Sequence, residues 1–323
     1  MLSIVIPSRN KPDWPFLPKT VDDLFQKAHG EVEVVVVLDG FWPDPPLKDR
    51  KNLTIIHNAE VKGMRYGINT GIAVAKGEYV AKCDDHCMFA EGYDVALVND
   101  CDVDNLVVPS RYALDGENWK RKYGPIDYLY LTYPFNLDGQ FGFGFHGKKW
   151  MGDRGFTGGY FTREKQLKHI PIDDMLTFQG SFWCMPKKLF EKIGGMQMTG
   201  YYEHQEAQEL GFKVWLSGGR CIVNKKTWYA HLHKGDMWGR GYHLLKHQMI
   251  KSQIYSTDTW INNKWPGQIR PLKWLIEKEN WWPLEAWPSD WDNPNRWKDY
   301  DYSKWHRTRE LQTKAGTKDI LVD

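Results

Sequence analysis

Gly77-Glu78-Tyr79-Val80-Ala81-Lys82-Cys83-Asp84-Asp85-His86-Cys87 reads as a short strand, Tyr79 to Ala81, that runs out into two carboxylates and an imidazole. Upstream, apolar runs alternate with helix-like stretches: Leu2 to Ile6, then Lys19 to Ala28, then Val32 to Leu38, too short and too β-branched for a buried helix. Leu53 to Ile56 and a helix from about Arg65 to Ala75 continue the alternation. The pattern predicts an α/β domain with a mainly parallel, Rossmann-like sheet flanked by helices. Ligands of such sheets sit beyond the carboxyl ends of the strands, where Asp39-Gly40 and Asp84-Asp85-His86 fall. Oxygen and imidazole donors at such an edge suit a divalent cation, although the same residues also occur in plain surface turns.

Downstream, the periodicity breaks down from Arg111 to Arg163, as in Gln140-Phe141-Gly142-Phe143-Gly144-Phe145, and predicts loops or twisted antiparallel strands. Regular patterning returns over Phe182 to Ile193, with Gly194-Gly195 as a helix stop. A helix from Glu203 to Leu210 follows, and a short strand near Phe212 to Leu216. The last 69 residues, from Tyr255, carry nine tryptophans without a repeat period, which excludes propellers and solenoids. Lysine and arginine number 43 against 41 acidic residues, a balance that argues against nucleic acid as a partner. No apolar run approaches the roughly 18 residues of a membrane span. Met1 leads directly into the first strand, so the expectation is a cytoplasmic protein without a signal peptide. Five scattered cysteines fit reduced thiols. Cys83 and Cys87 could be read as a zinc pair, but no second pair exists, and buried inert thiols are the better reading.

The order Ser3-Ile4-Val5-Ile6-Pro7, Val36-Val37-Leu38-Asp39, Gly63 to Gly71, Gly77 to Val80 and Asp84-Asp85-His86 resembles the nucleotide-binding half of GT-A glycosyltransferases of the family 2 type. The Asp84 to Cys87 run is closer to the polypeptide N-acetylgalactosaminyltransferases, whose metal motif also uses a histidine. Ile126 to Leu131 is similar to their Phe-Asp-Trp segment, and Gly180 to Gly195 to their glycine-rich acceptor-side segment. Glu206, Glu209, Phe212, Trp215, Gly218-Gly219 and His231 fall in register on that family's motif without a gap. The resemblance covers roughly residues 2 to 240. It implies a UDP-sugar donor, a hydroxyl acceptor (peptide, glycan or small molecule), and Mn²⁺ held by Asp84, His86 and His231, with Mg²⁺ or zinc as rival metals. His233 is a second choice for the third ligand. Pro7, Ser8, Arg9, Asp39, Arg65, Asp85 and Lys234 are the expected donor-binding residues, with Arg65 alternatively a solvated helix charge.

Glu206 and Glu209 stand three apart on a helix and are candidate catalytic residues. Either could be the base of an inverting enzyme, or could orient donor and acceptor in a retaining one, which the Asp-Xaa-His pattern favours. Trp238 and Arg240, in a glycine-punctuated run after His231, suit a closing loop that covers the sugar and neutralises diphosphate. Glu203-His204-Gln205 replace the family's Trp-Gly-Gly, which opens the choice of donor from N-acetylgalactosamine to a smaller hexose such as glucose. The absence of an anchor or lectin-like module points to a bacterial or viral source. A non-catalytic sugar or nucleotide-binding module is the alternative from another class. The expected organisation is a nucleotide-sugar half over 1–110, an acceptor side with lid over 111–250, and a tryptophan-rich extension over 251–323 packed on the core.

Overall fold

A computed structural model describes residues 1–134, 144–149, 167–234, 238–239, 245–278, 287, 290–291 and 293. Strands β1 (Leu2–Ser8), β2 (Val32–Asp39), β3 (Leu53–Asn58) and β4 (Tyr79–Cys83) are linked by helices α1 (Phe16–Lys27) and, between β3 and β4, α2 (Met64–Val74). β5 (Cys87–Phe89), α3 (Tyr93–Asn99) and β6 (Asn105–Asp115) follow, then short β7 (Lys120–Arg121), β8 (Leu129–Leu131), β9 (Gly147–Lys149) and β10 (Ile172–Asp174). β11 (Phe182–Pro186), α4 (Lys187–Lys192), α5 (Glu206–Leu216), β12 (Arg220–His231), α6 (Lys246–Ile261) and α7 (Leu272–Glu277) complete the described elements.

The main sheet runs β10-β12-β6-β11-β4-β1-β2-β3. β2, with Val34 to Leu38 all at 0% exposure, is buried on both faces and so reads as a continuous apolar run. β3, β2, β1 and β4 are parallel, and β6 and β12 are parallel to each other. β11 enters antiparallel between β4 and β6. The chain steps from β1 outward to β2 and β3, then returns to place β4 on the other side of β1, which makes the β1/β4 boundary a switch point. α1 turns Leu17, Val21 and Leu24 inward at helical spacing. α2 lies so close to β1 that a Cβ at Gly71 would overlap Val5.

Two sequence expectations are corrected. The segment Phe212 to Leu216 is not a strand but the second half of α5, and the strand is Arg220–His231. Nearly every residue of α5 is buried, so no polar face marks its period. Within Phe182 to Ile193, the first five residues form β11 and only Lys187–Lys192 is helical, starting after Pro186. Of the irregular Arg111 to Arg163 region, residues 111–115 prolong β6, and 135–143 and 150–166 lie outside the described residues.

Part of the tryptophan-rich extension packs on the core: Trp260 is 1% exposed and sits 5.0 Å from Phe212, ring to ring. Trp274 lies beside Trp215, and Trp287 beside Tyr133 and Phe145. Trp281, Trp282, Trp297 and Trp305 lie outside the described residues. Among the described residues no helix is long and apolar enough to cross a membrane.

Candidate active site

An open cleft lies at the carboxyl ends of β1, β2 and β4, its wall including Pro7, Ser8, Arg9, Asp39, Asp84, Asp85, His86 and Lys234. Strand register explains how a residue far along the chain reaches it. β12 pairs antiparallel with β5 so that His231 faces Cys87, one position beyond His86, and the Leu232 N–H donates to the His86 carbonyl. Asp84 is tied in from the other side, its N–H donating to the Ser181 carbonyl at the mouth of β11. Asp84, His86 and His231 thereby offer ligand atoms that all lie within 4.8 Å of one another. His231 Nε2 is 3.1 Å and His86 Nε2 3.9 Å from Asp84 Oδ2.

Each member is held by neighbours. The other Asp84 oxygen accepts from Lys82 Nζ at 2.6 Å, and Lys82, 1% exposed, also donates to the Gly180 carbonyl and approaches Glu206 Oε2 at 3.2 Å. Asp85 does not join the trio. Its carboxylate takes His86 Nδ1 at 2.6 Å and Ser8 Oγ at 2.5 Å, bonds Asn10, and faces Lys234 Nζ at 3.8 Å. That contact turns His86 Nε2 toward Asp84, the arrangement by which a carboxylate orients a ligating imidazole. Arg111 Nη2 stands 3.4 Å from His231 Nδ1.

Electrostatics follow from burial and these pairs. Burial alone would raise the Asp84 carboxyl, but Lys82, His231 and His86 outweigh it and hold it well below the ordinary range. Burial pushes the His231 imidazole down to about 3, His86 and Arg111 adding to the effect against Asp84, so the ring is neutral and keeps a lone pair. Burial would lower the Lys82 ammonium, but Asp84 and Glu206 raise it, so it stays charged. Burial pushes Glu206 upward, with Lys82 opposing. One carboxylate oxygen and two imidazole nitrogens form a donor set that fits a first-row divalent ion such as Mn²⁺ better than oxygen-seeking Mg²⁺.

The remaining expected residues divide. Asp39 lines the cleft, but its oxygens accept the Lys62 N–H at 2.7 Å and the Gly63 N–H at 2.9 Å, fixing the entry to α2. Arg65 is neither in the cleft wall nor solvated: it is 1% exposed, its guanidinium bonded to Glu209 and to the carbonyls of Gln197 and His204 and stacked 4.6 Å over Tyr201. Glu209, at 0% exposure, is spent on Arg65, on Lys213 at 2.7 Å and on the Gln197 N–H. Glu206 lies nearer the trio, with Trp183 Nε1 donating to it at 2.8 Å. Lys234 bonds Asn10 Oδ1 at 3.2 Å and lies 4.5 Å over the Trp14 ring. Trp238 is half-buried, edge-on to Phe16 at 4.8 Å, and Arg240 lies outside the described residues. Asn10, Lys82, Arg111 and Gln248 were not anticipated from sequence, and Glu203 only as one of the residues bearing on the choice of donor sugar. Glu203 and Gln248 also line the cleft, and the Glu203 carboxylate accepts the Met64 N–H at 2.6 Å at the start of α2. Gly63 adopts φ 94°, and the Glu203 carboxylate occupies the place a Cβ would take there.

The sequence model of glycosyl transferase family 2 matches residues 3–193, more than half of the chain. The chain belongs to glycosyl transferase family 2. This family 2 member is 24% identical over 282 residues to polypeptide N-acetylgalactosaminyltransferase 5 of Caenorhabditis elegans, covering 81% of this chain and 41% of that protein. It therefore spans less than half the length of that curated relative. In solved structures it is similar to GalNAc-T7 crystallised with UDP, GalNAc and Mn²⁺, with a TM-score of 0.67 and 15% identity over 89% of this chain and 58% of that one. It is also similar to S. aureus TarS 1-349 in complex with UDP-GlcNAc, with a TM-score of 0.50 and 12% identity over 85% and 69% of the two chains. The fold of this family 2 member is GT-A.

Proposed function

We propose that the chain transfers a hexose, glucose or N-acetylgalactosamine, from a UDP-sugar to a hydroxyl acceptor with retention of configuration, using Mn²⁺ held by Asp84, His86 and His231. The observation that carries this reading is the convergence of those three donors at the rim of the cleft. The bound ion would supply positive charge to the leaving diphosphate. Lys234, at the same rim, would share that charge through its ammonium, and Asp85 would keep His86 Nε2 aimed at the ion. The Asp39 end of the cleft would take the nucleoside, leaving Glu203 to accept hydroxyl hydrogen bonds from the ligand.

Retention is supported by the state of the two glutamates. Glu209 is buried in ion pairs with Arg65 and Lys213, and Glu206 is engaged by Lys82 and Trp183, so neither stands ready as a base for an inverting attack. Trp238, packed on Phe16 with its N–H donating to the carbonyl of the cleft-lining Lys234, would exclude water from the bound sugar. The UDP-sugar reading is tested by UDP release across a panel of UDP-sugars with and without Mn²⁺: metal-dependent release with one hexose donor is expected, and binding without turnover would leave only a sugar-nucleotide module. NMR of the product then reads the anomer, an inverted one rejecting retention. Trp238→Ala is expected to raise hydrolysis of the donor relative to transfer, and unchanged partitioning would remove the lid role.

A further inference from the structure

Each of the three ligand candidates is shadowed by a cation that the chain itself supplies. Lys82 sits on Asp84 at 2.6 Å, Lys234 faces the Asp85 that orients His86, and Arg111 stands 3.4 Å from His231. Lys82 is the most committed of these, being 1% exposed and linked to Asp84, Glu206 and the Gly180 carbonyl. Three carboxylates, Asp84, Asp85 and Glu206, thus stand with three cations: Lys82 is shared by Asp84 and Glu206, Lys234 faces Asp85, and Arg111 stands beside His231. A divalent ion arriving alone meets donor atoms of the right kind but little net negative charge. A diphosphate entering the cleft would bring the missing charge.

We propose that Lys82 makes the Asp84, His86 and His231 site dependent on nucleotide: it cancels the charge of Asp84, so the cation binds weakly by itself and firmly only together with the diphosphate. This rests on the proposed reading of the cleft as a UDP-sugar and metal site. Lys82 acts through Asp84 and Glu206 and is a positioning and charge-setting residue, without contact to substrate. Its placement on β4, two residues before Asp84, lets the strand's alternation bring both side chains to one face.

The test is Mn²⁺ binding followed by electron paramagnetic resonance at pH 8, with and without UDP, on the wild-type chain and three variants. Wild type is expected to bind Mn²⁺ at least about tenfold more tightly with UDP than without. Lys82→Met is expected to bind nucleotide-free Mn²⁺ on the order of tenfold more tightly than wild type, because a charge is removed beside the ion. Glu206→Gln, which leaves Lys82 in place, is expected to shift affinity the opposite way. The double variant Lys82→Met with Glu206→Gln restores the wild-type charge and is expected to return close to the wild-type affinity. If Lys82→Met is poorly folded by thermal unfolding, Glu206→Gln and the double variant carry the test. Weaker binding in Lys82→Met, or unchanged affinities in all variants while UDP still promotes Mn²⁺ binding, overturns the role of Lys82 and leaves the UDP-sugar reading standing. Wild type that binds no Mn²⁺ even with UDP overturns both.

Discussion

Asp85 touches four partners, and its value lies in what it does to His86. A neutral amide in its place could not accept from His86, Ser8 and Asn10 together while facing Lys234. Asp85→Asn is therefore expected to lower Mn²⁺ affinity in the presence of UDP by about 10–100-fold with little change in fold, read by metal titration and circular dichroism. Glu209 is the opposite case. Its carboxylate is fully buried between Arg65 and Lys213, so Glu209→Gln strands buried cations and is expected to cost about 3 kcal/mol in urea unfolding. A loss of metal binding without a loss of stability would contradict that structural role. The two glutamates of one motif illustrate what residue types reveal by themselves. Spacing put Glu206 and Glu209 on one face, but only the placement of Lys82, Arg65 and Lys213 shows what each is bound to. Lys82 itself carries no signal in sequence, since a lysine in a strand reads as a solvated position.

At the scale of elements, α1 is clamped to β5 by Asp23, whose carboxylate accepts the Phe89 N–H at 2.5 Å. Burial pushes the Asp23 carboxyl up to about 6 from its ordinary 3.8, against the pull of Phe89, Trp119 and Lys27. Between those values the folded chain holds a proton that the unfolded chain has released, so this group's stabilisation is complete below about pH 4 and falls away as pH rises through about 6. Asp23→Asn is expected to flatten that fall, up to about 3 kcal/mol, in urea midpoints taken from pH 4 to 7. An unchanged slope would show that Asp23 titrates normally. Residues 2 to 81 were legible as elements because strand and helix periods alternate there with clear turns, whereas the short β5 and α3 that follow were not read. β11 was not, because strand direction leaves no trace in periodicity, and α5 was misread because burial on nearly all sides erases the helical stripe. Asp84, His86 and His231 could be named from sequence as candidates, whereas their approach depends on the β5/β12 register that only the fold supplies.

Over the whole molecule, described residues of the extension after β12 belong to the core. Trp260, Leu272, Leu275 and Ile276 are buried, and Trp260 and Trp274 lie on the Phe212 and Trp215 rings of α5. Deleting residues 255–323 exposes that surface and is expected to abolish cooperative unfolding and leave an aggregating chain, checked by calorimetry and size-exclusion chromatography. A monomeric truncation with full UDP release would refute this. Gln248, on α6, also reaches the cleft wall, so the helix that leads into the extension borders the site. His231 closes the trio from 147 residues beyond Asp84. During translation, Asp84 and His86 thus emerge long before the last imidazole, and a nascent chain stalled or released between them lacks the third donor. The trio is complete only at a late step of synthesis, when the end of β12 aligns with β5, and the buried residues of α6 and α7 have still to follow.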